Sequence, residues 1–154
     1  MRPLHPSIKT VWTIQFALGF GLLVLAALAY DLAHLFQEER ALPLGLVTGV
    51  VLLVGGALAV GLPRLRYRYW RFDLLPEELY LERGILNRVR TIVPLRRIQH
   101  LDVSQNILER EFGLGKLIVH TAGTRSSDVV VPGLEMEEAE GLRDQVKRYL
   151  LEAL

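Results

Sequence analysis

Apolar and polar positions divide this chain in two. Val11–Tyr30 carries no charge and has Trp12 and Tyr30 at its ends. After the connector Asp31–Arg40, no charged residue appears until Arg64. At about 1.5 Å of rise per residue, helices of this length cross the roughly 30 Å hydrocarbon core of a bilayer. Terminal aromatics suit the two interfaces. The pattern predicts a transmembrane hairpin over residues 1–63, with spans at about 11–30 and 41–62. Ala27-Leu28-Ala29 resembles a signal-peptide cleavage site. The first run is too long for an ordinary roughly 7–15-residue signal core, however, and a second span follows at once.

Beyond Leu65 the period shortens. Segments rich in Val, Ile, Leu, Tyr and Arg alternate in character and are separated by turn residues, the signature of short antiparallel strands. Strands are expected at about 66–74, 78–83, 87–94, 98–104, 115–122 and 127–131. The turns fall at Leu75-Pro76-Glu77, Gly84, Pro94-Leu95, the Asn106–Gly113 stretch and Ala122-Gly123-Thr124. Asn106–Phe112 has room for one helical turn, either plugging an end of the β domain or docking a partner. After Pro132-Gly133 the spacing becomes helical, with Met136, Ala139, Leu142, Val146, Tyr149, Leu150 and Ala153 on one face. The fold class read from this order is a membrane α-helical hairpin plus a mainly-β domain over 64–154. That domain is a β-sandwich or partly open barrel of six or seven antiparallel strands with a C-terminal capping helix.

Charge adds a direction. Residues 64–97 hold nine Arg against four acids, while 98–154 are net acidic. Basic flanks stay in the cytoplasm. Arg2 and Lys9 before the first span, and four Arg just after the second, outweigh the single Arg40 of the connector. Both termini are therefore expected in the cytoplasm of a two-span cell-membrane protein. Arg64, Arg66, Arg68 and Arg71, with Arg88, Arg90, Arg96 and Arg97, are candidates for contact with anionic headgroups. Residues two apart share a strand face, which would align Arg64, Arg66 and Arg68, and likewise Arg88 and Arg90. Arg83 belongs to the same block but falls in neither set. Nucleic acid is a poor partner for a chain of net charge +1 whose basic block lies beside a membrane span. In the second span, Gly45 and Gly49 are four apart and permit close helix packing, within the hairpin or between chains.

Catalytic and metal chemistry find little support. There is no cysteine. The four histidines lack a metal-ligand spacing, so neither a metal nor another cofactor is expected. His100, Asp102 and Ser104 share a strand face, but Cα atoms about 6–7 Å apart give no working triad by spacing alone. Gly113-Leu-Gly115 lacks the third glycine of a dinucleotide loop.

Several stretches in order resemble bacterial pleckstrin-homology-like proteins, the membrane-flanking family in which such a domain follows a pair of transmembrane helices. They are Arg66–Phe72 (RYRYWRF), Leu79–Leu86 (LYLERGIL), Val93–Val103 (VPLRRIQHLDV), and Gln105–Thr121 (QNILEREFGLGKLIVHT) with Ala122-Gly123. The resemblance implies a pleckstrin-homology-like (PH-like) sandwich and no enzyme. Its implied role is a scaffold that assembles with itself or with a companion membrane protein carrying repeated PH-like domains. The alternative is a module that binds or senses anionic phospholipid headgroups. In phosphoinositide-binding relatives, basic residues on the first two strands and their loop grip the phosphates. Here that loop, Asp73–Glu78, is acidic, and like charge would repel a phosphorylated inositol there.

Overall fold

The structure is a computed structural model that describes residues 1–36, 42–122 and 128–152. Gly123 and Thr124 of one expected turn, the first residue of the second expected span, and Ala153 lie outside the described residues. The chain forms two compact units. Trp12–Arg64 makes one, and Met1–Val11 with Leu65–Leu154 makes the other.

The first unit is a helical hairpin built from α1 (Ile8–Ala33) and α2 (Leu46–Tyr69), both long and apolar enough to cross a membrane. Leu18, Leu22, Leu25 and Leu53 point outward, as lipid-facing side chains do. The close approach of the helices falls at Gly55, not at Gly45 or Gly49. A Cβ on Gly55 would stand 2.9 Å from the Phe20 ring, whereas one on Gly45 or Gly49 would meet nothing within 4 Å. Gly45 lies in the turn before α2 with φ +78, so it opens the helix. Asp31 accepts hydrogen bonds from the Thr48 hydroxyl (2.6 Å) and backbone N–H (3.1 Å). A buried carboxylate on α1 thereby satisfies an open donor in the first turn of α2.

The second unit holds six strands in two antiparallel three-stranded sheets. One has the order β1 (Arg71–Leu74), β2 (Glu78–Arg83), β3 (Val89–Pro94). The other has the order β4 (Ile98–Ser104), β5 (Leu114–Thr121), β6 (Asp128–Glu135). No closed barrel forms; the sandwich is the form adopted. Alternation supplies the core: Leu79 and Leu81 from β2, and Leu117, Val119 and Val131 from β5 and β6, are fully buried. A 3-10 turn, Leu95–Arg97, joins the sheets, and α4 (Met136–Glu152) lies on the second sheet, burying Ala139, Leu142 and Val146. The short α3 (Ile107–Glu111) is held by a capping box. Glu109 N–H donates to Asn106 Oδ1 (2.7 Å), and Asn106 N–H donates to Glu109 Oε2 (2.8 Å).

Two features depart from the sequence reading. The first half of the first expected strand, 66–74, is helix. α2 runs to Tyr69, and only Arg71–Leu74 are strand. A helix already nucleated by the span gains a hydrogen bond with each added residue, whereas a new strand needs a partner. The second departure is the N-terminal lead, which is structural. Arg2 pairs with Phe72 of β1 through two backbone hydrogen bonds of 2.7 and 3.1 Å, and the His5 N–H donates to Gly133 O of β6 at 2.7 Å. The segment links the margins of both sheets and buries Leu4, Ile8 and Val11 in their core.

Candidate functional site

The basic residues do not gather on one face. Arg64, Arg66 and Arg68 lie on the last turns of α2, not on a strand. Two residues apart on a helix is roughly 200° of rotation, so only Arg64 and Arg68 share a side. Arg71 opens β1. Arg88 sits in the β2–β3 turn, its guanidinium 5.8 Å from the Tyr69 ring centroid, while Arg90 on β3 reaches Glu82 Oε1 at 3.5 Å. Their expected common strand face is therefore absent, because the strand begins only at Val89. Arg96 and Arg97 are exposed on the 3-10 turn. Leu95 N–H donates to Glu77 O (2.9 Å), which sets that turn beside the acidic β1–β2 turn. β2 runs from that end to the β2–β3 turn. Six residues at about 3.3 Å each separate the two basic groups along the sheet.

At the β2–β3 end there is a hollow of about 520 Å³, lined by Arg66, Trp70, Arg83, Ile85, Leu86 and Val130 among others. Trp70 is buried. Leu86, at the tip of the turn, is 100% exposed. The turn depends on Gly84 (φ +115), where a Cβ would come within 1.9 Å of Asn87 O. Arg83 becomes significant only once the strand ends at this turn and α2 continues past Arg66. Neither follows from the spacing of arginines.

A second cluster lies on the outer face of the β4–β5–β6 sheet. The register sets His100 opposite His120, and His120 opposite Asp128. His120 Nε2 is 3.0 Å from Asp102 Oδ2, and its Nδ1 is 2.7 Å from Asp128 Oδ1. His100 Nε2 reaches the other Asp102 oxygen at 2.8 Å. The separation expected along the strand does not keep His100 from Asp102. Ser104, however, sits opposite Lys116 and takes no part. The Asp128 carboxylate raises the His120 pKa first, and Asp102 adds to it. Sequence spacing pointed to His100 and Asp102 but missed His120 and Asp128, which only strand register brings alongside. Among the described residues, no group of three or more such side chains is arranged to hold a metal ion.

A family model described as Bacterial PH domain matches residues 14–150, taking in most of α1, all of α2 and all six strands. The chain belongs to this family. Among relatives of this bacterial PH-domain protein is the UPF0699 transmembrane protein YdbS of Bacillus subtilis (strain 168), 39% identical over 103 residues, which are 66% of this chain and 63% of that protein. Another is the UPF0699 transmembrane protein YdbT of the same strain, 32% identical over 59 residues, or 37% of this chain and 12% of that protein. The aligned part is thus less than two thirds of either relative's length. No solved structure matches the chain. Two membrane-length helices and a transmembrane relative together make this a membrane protein with a bacterial PH domain.

Proposed function

We propose that this protein is a non-catalytic membrane adaptor. It presents its PH domain at the cytoplasmic face of the cell membrane and assembles with itself or with a companion membrane protein carrying further copies of the domain. The observation that carries this reading is how the domain joins its helices. α1 begins at the fully buried Ile8, and α2 ends at Tyr69, one residue before the buried Trp70. Only Trp70 separates α2 from β1 in the sequence, a short covalent tether that favours presentation of a surface at the membrane over capture at a distance. The relatives fit a two-component arrangement, since one bacterial strain has both a shorter protein of this kind and one in which the matched segment is only 12% of the chain. Arg64, Arg68 and Arg71, beside the apolar run of α2, would lie among anionic headgroups, which attract Lys and Arg by about 1 kcal/mol each.

Crosslinking in native membranes followed by purification of the full chain tests the adaptor reading. The expected result is one stoichiometric membrane partner or a defined homo-oligomer. A full chain recovered only as a monomer, with no crosslinked species, would overturn it.

A further inference from the structure

We propose that the open edge of β3 takes an extended acidic segment of a partner protein as an added strand, held by the backbone of Arg90 and Ile92. This names the chemistry of the partner that the adaptor reading above calls for, and it rests on that reading.

The phase of the hydrogen bonds fixes which backbone groups face outward. In an antiparallel ladder, bonded and non-bonded pairs alternate along the strands. The Leu75 N–H donates to Glu78 O (2.9 Å), so Asp73/Tyr80 and Arg71/Glu82 are bonded pairs between β1 and β2. The Leu95 N–H donates to Glu77 O (2.9 Å), so Leu79/Val93, Leu81/Thr91 and Arg83/Val89 are the bonded pairs between β2 and β3. Phe72 then faces outward from β1, and its two backbone bonds to Arg2 fill that edge. By the same phase, the N–H and C=O of Arg90 and of Ile92 face outward from β3. The strand neighbour of β3 is β2, and among the described residues no backbone hydrogen bond reaches those outward groups.

One edge of this sheet is thus closed by an extended segment of the chain itself, and the other is bare. Unpaired N–H and C=O groups along an edge are a template for a further strand. The edge carries apolar surface as well, since Ile92 is 54% exposed and Val89 40%. A strand added there is held by main-chain hydrogen bonds, and its alternate side chains set specificity.

Charge decides the occupant. Residues 88–97 hold four Arg and no acid. Two β3 strands paired antiparallel about Thr91 would run the Arg88 end of each copy along the Pro94–Arg97 end of the other, and like charges facing across strands destabilise the pair. Pro94 has no N–H to donate, which ends the open row at that side. An acidic segment meets neither obstacle at Arg90. Arg90 and Ile92 share the outer face of the sheet, opposite Glu82 and Tyr80 of β2. Glu82 Oε1 lies 3.5 Å from Arg90 Nε, yet the Arg90 side chain stays 65% exposed, which leaves room for a second carboxylate from the edge. The added strand therefore needs an acid opposite Arg90, an apolar residue opposite Ile92, and between them a residue that faces the half-buried Thr91.

The full chain in neutral detergent is titrated with a fluorescent peptide whose centre reads glutamate-threonine-valine-threonine-glutamate, and with its counterpart carrying lysine for glutamate. The sequence is the same in either direction, so both strand senses are covered, and binding is read by anisotropy. The expected result is saturable binding of the glutamate peptide and none of the lysine peptide. Arg90→Glu should weaken the glutamate peptide about tenfold or more, as loss of a charge-assisted hydrogen bond implies, and should admit the lysine peptide. Ile92→Pro removes an outward N–H and no bond to β2, a substitution that edge strands tolerate, and should abolish binding. N-methylation of alternate peptide amides should abolish binding in one phase and leave it intact in the other, since every second amide of an added strand faces the edge. Equal affinity for the lysine peptide overturns the proposal, as does equal tolerance of N-methylation in both phases. A dimer of the full chain that Ile92→Pro dissociates would give the edge to a second copy and overturn the acidic partner. Should Ile92→Pro melt early, the reversal of peptide preference in Arg90→Glu decides the matter. Peptide bound as expected, with only a monomer crosslinked in membranes, would sink the adaptor reading and leave the edge site standing. A crosslinked partner retained by Ile92→Pro, with no peptide bound, would keep the adaptor and overturn the edge site.

Discussion

His120 has a carboxylate on each of its ring nitrogens, Asp128 at 2.7 Å and Asp102 at 3.0 Å, and the His100 ring lies with its centroid 5.7 Å away. An imidazole bracketed in this way is bound most tightly when it carries two protons, because only then do both nitrogens donate. The folded pKa is accordingly raised above its ordinary value, chiefly by Asp128. A group whose pKa is higher folded than unfolded stabilises the fold below the unfolded value, about 6.5 for histidine, and loses that contribution as pH rises through the folded value. The melting temperature of the full chain in detergent should therefore fall between pH 6 and pH 8.5. His120→Asn should flatten that part of the profile. Asp128→Asn should bring the His120 titration, followed by proton NMR, back toward the ordinary value. A wild-type profile that rises over this interval would contradict the assignment. The cluster's exposure makes it a tuning element on the outer face of the sheet.

At the scale of elements, Gly133 and Ile8 show what joins the N-terminal segment to the sheets. Gly133 has φ +63, and a Cβ there would stand 2.8 Å from Ile8 Cγ1. Gly133→Ala should cost about 1–2 kcal/mol for the left-handed backbone and about 1–3 kcal/mol for overpacking against Ile8. Ile8→Ala should cost about 2–5 kcal/mol, although Ile8 is only the first residue of a lipid-type helix by sequence. The two changes share one contact, so the double variant should be less destabilised than the sum of the singles. Thermal melting of the four proteins in one detergent checks this, and strict additivity would mean that Ile8 does not fill the space over Gly133. The pair also shows what the sequence reveals. β2 and β4 are readable to the residue, β2 because its buried and half-buried positions alternate, β4 because Pro94-Leu95 and Asn106 bound it. α3 is readable from Asn106 and Glu109, three apart as a capping box requires. The lead Met1–Thr10 is not readable. Its backbone bonds to Phe72 and Gly133 come from residues some 70 and 130 positions away, and a local pattern holds no trace of such pairing. Arg66–Phe72 was misread for a different reason. Arg and Tyr alternating over a few residues satisfy period two, yet Tyr67 and Trp70 are also three apart and fit a helix equally well. Arg66 and Arg83 become neighbours only because α2 does not stop at the membrane boundary.

For the whole molecule, the decisive quantity is the side of the membrane on which the PH domain stands. Orientation follows from Lys and Arg in short flanks, with Asp and Glu contributing little. The connector's acids therefore do not offset the count. Arg2 and Lys9 precede the first apolar run, Arg64, Arg66, Arg68 and Arg71 follow the second, and Arg40 alone lies between them. An even number of spans puts both ends of the hairpin on one side, and six cations against one are the ground for proposing that this side is the cytoplasm. The chain has no cysteine of its own, so a single introduced thiol reports unambiguously. Phe36, 91% exposed at the loop end of α1, and Leu86 in the β2–β3 turn are suitable positions. In intact cells stripped of any outer barrier, Phe36→Cys should react with a membrane-impermeant maleimide. Leu86→Cys should react only after the membrane is opened. The reverse pattern, with Leu86→Cys labelled from outside, would put the domain on the far face. That would remove the cytoplasmic adaptor.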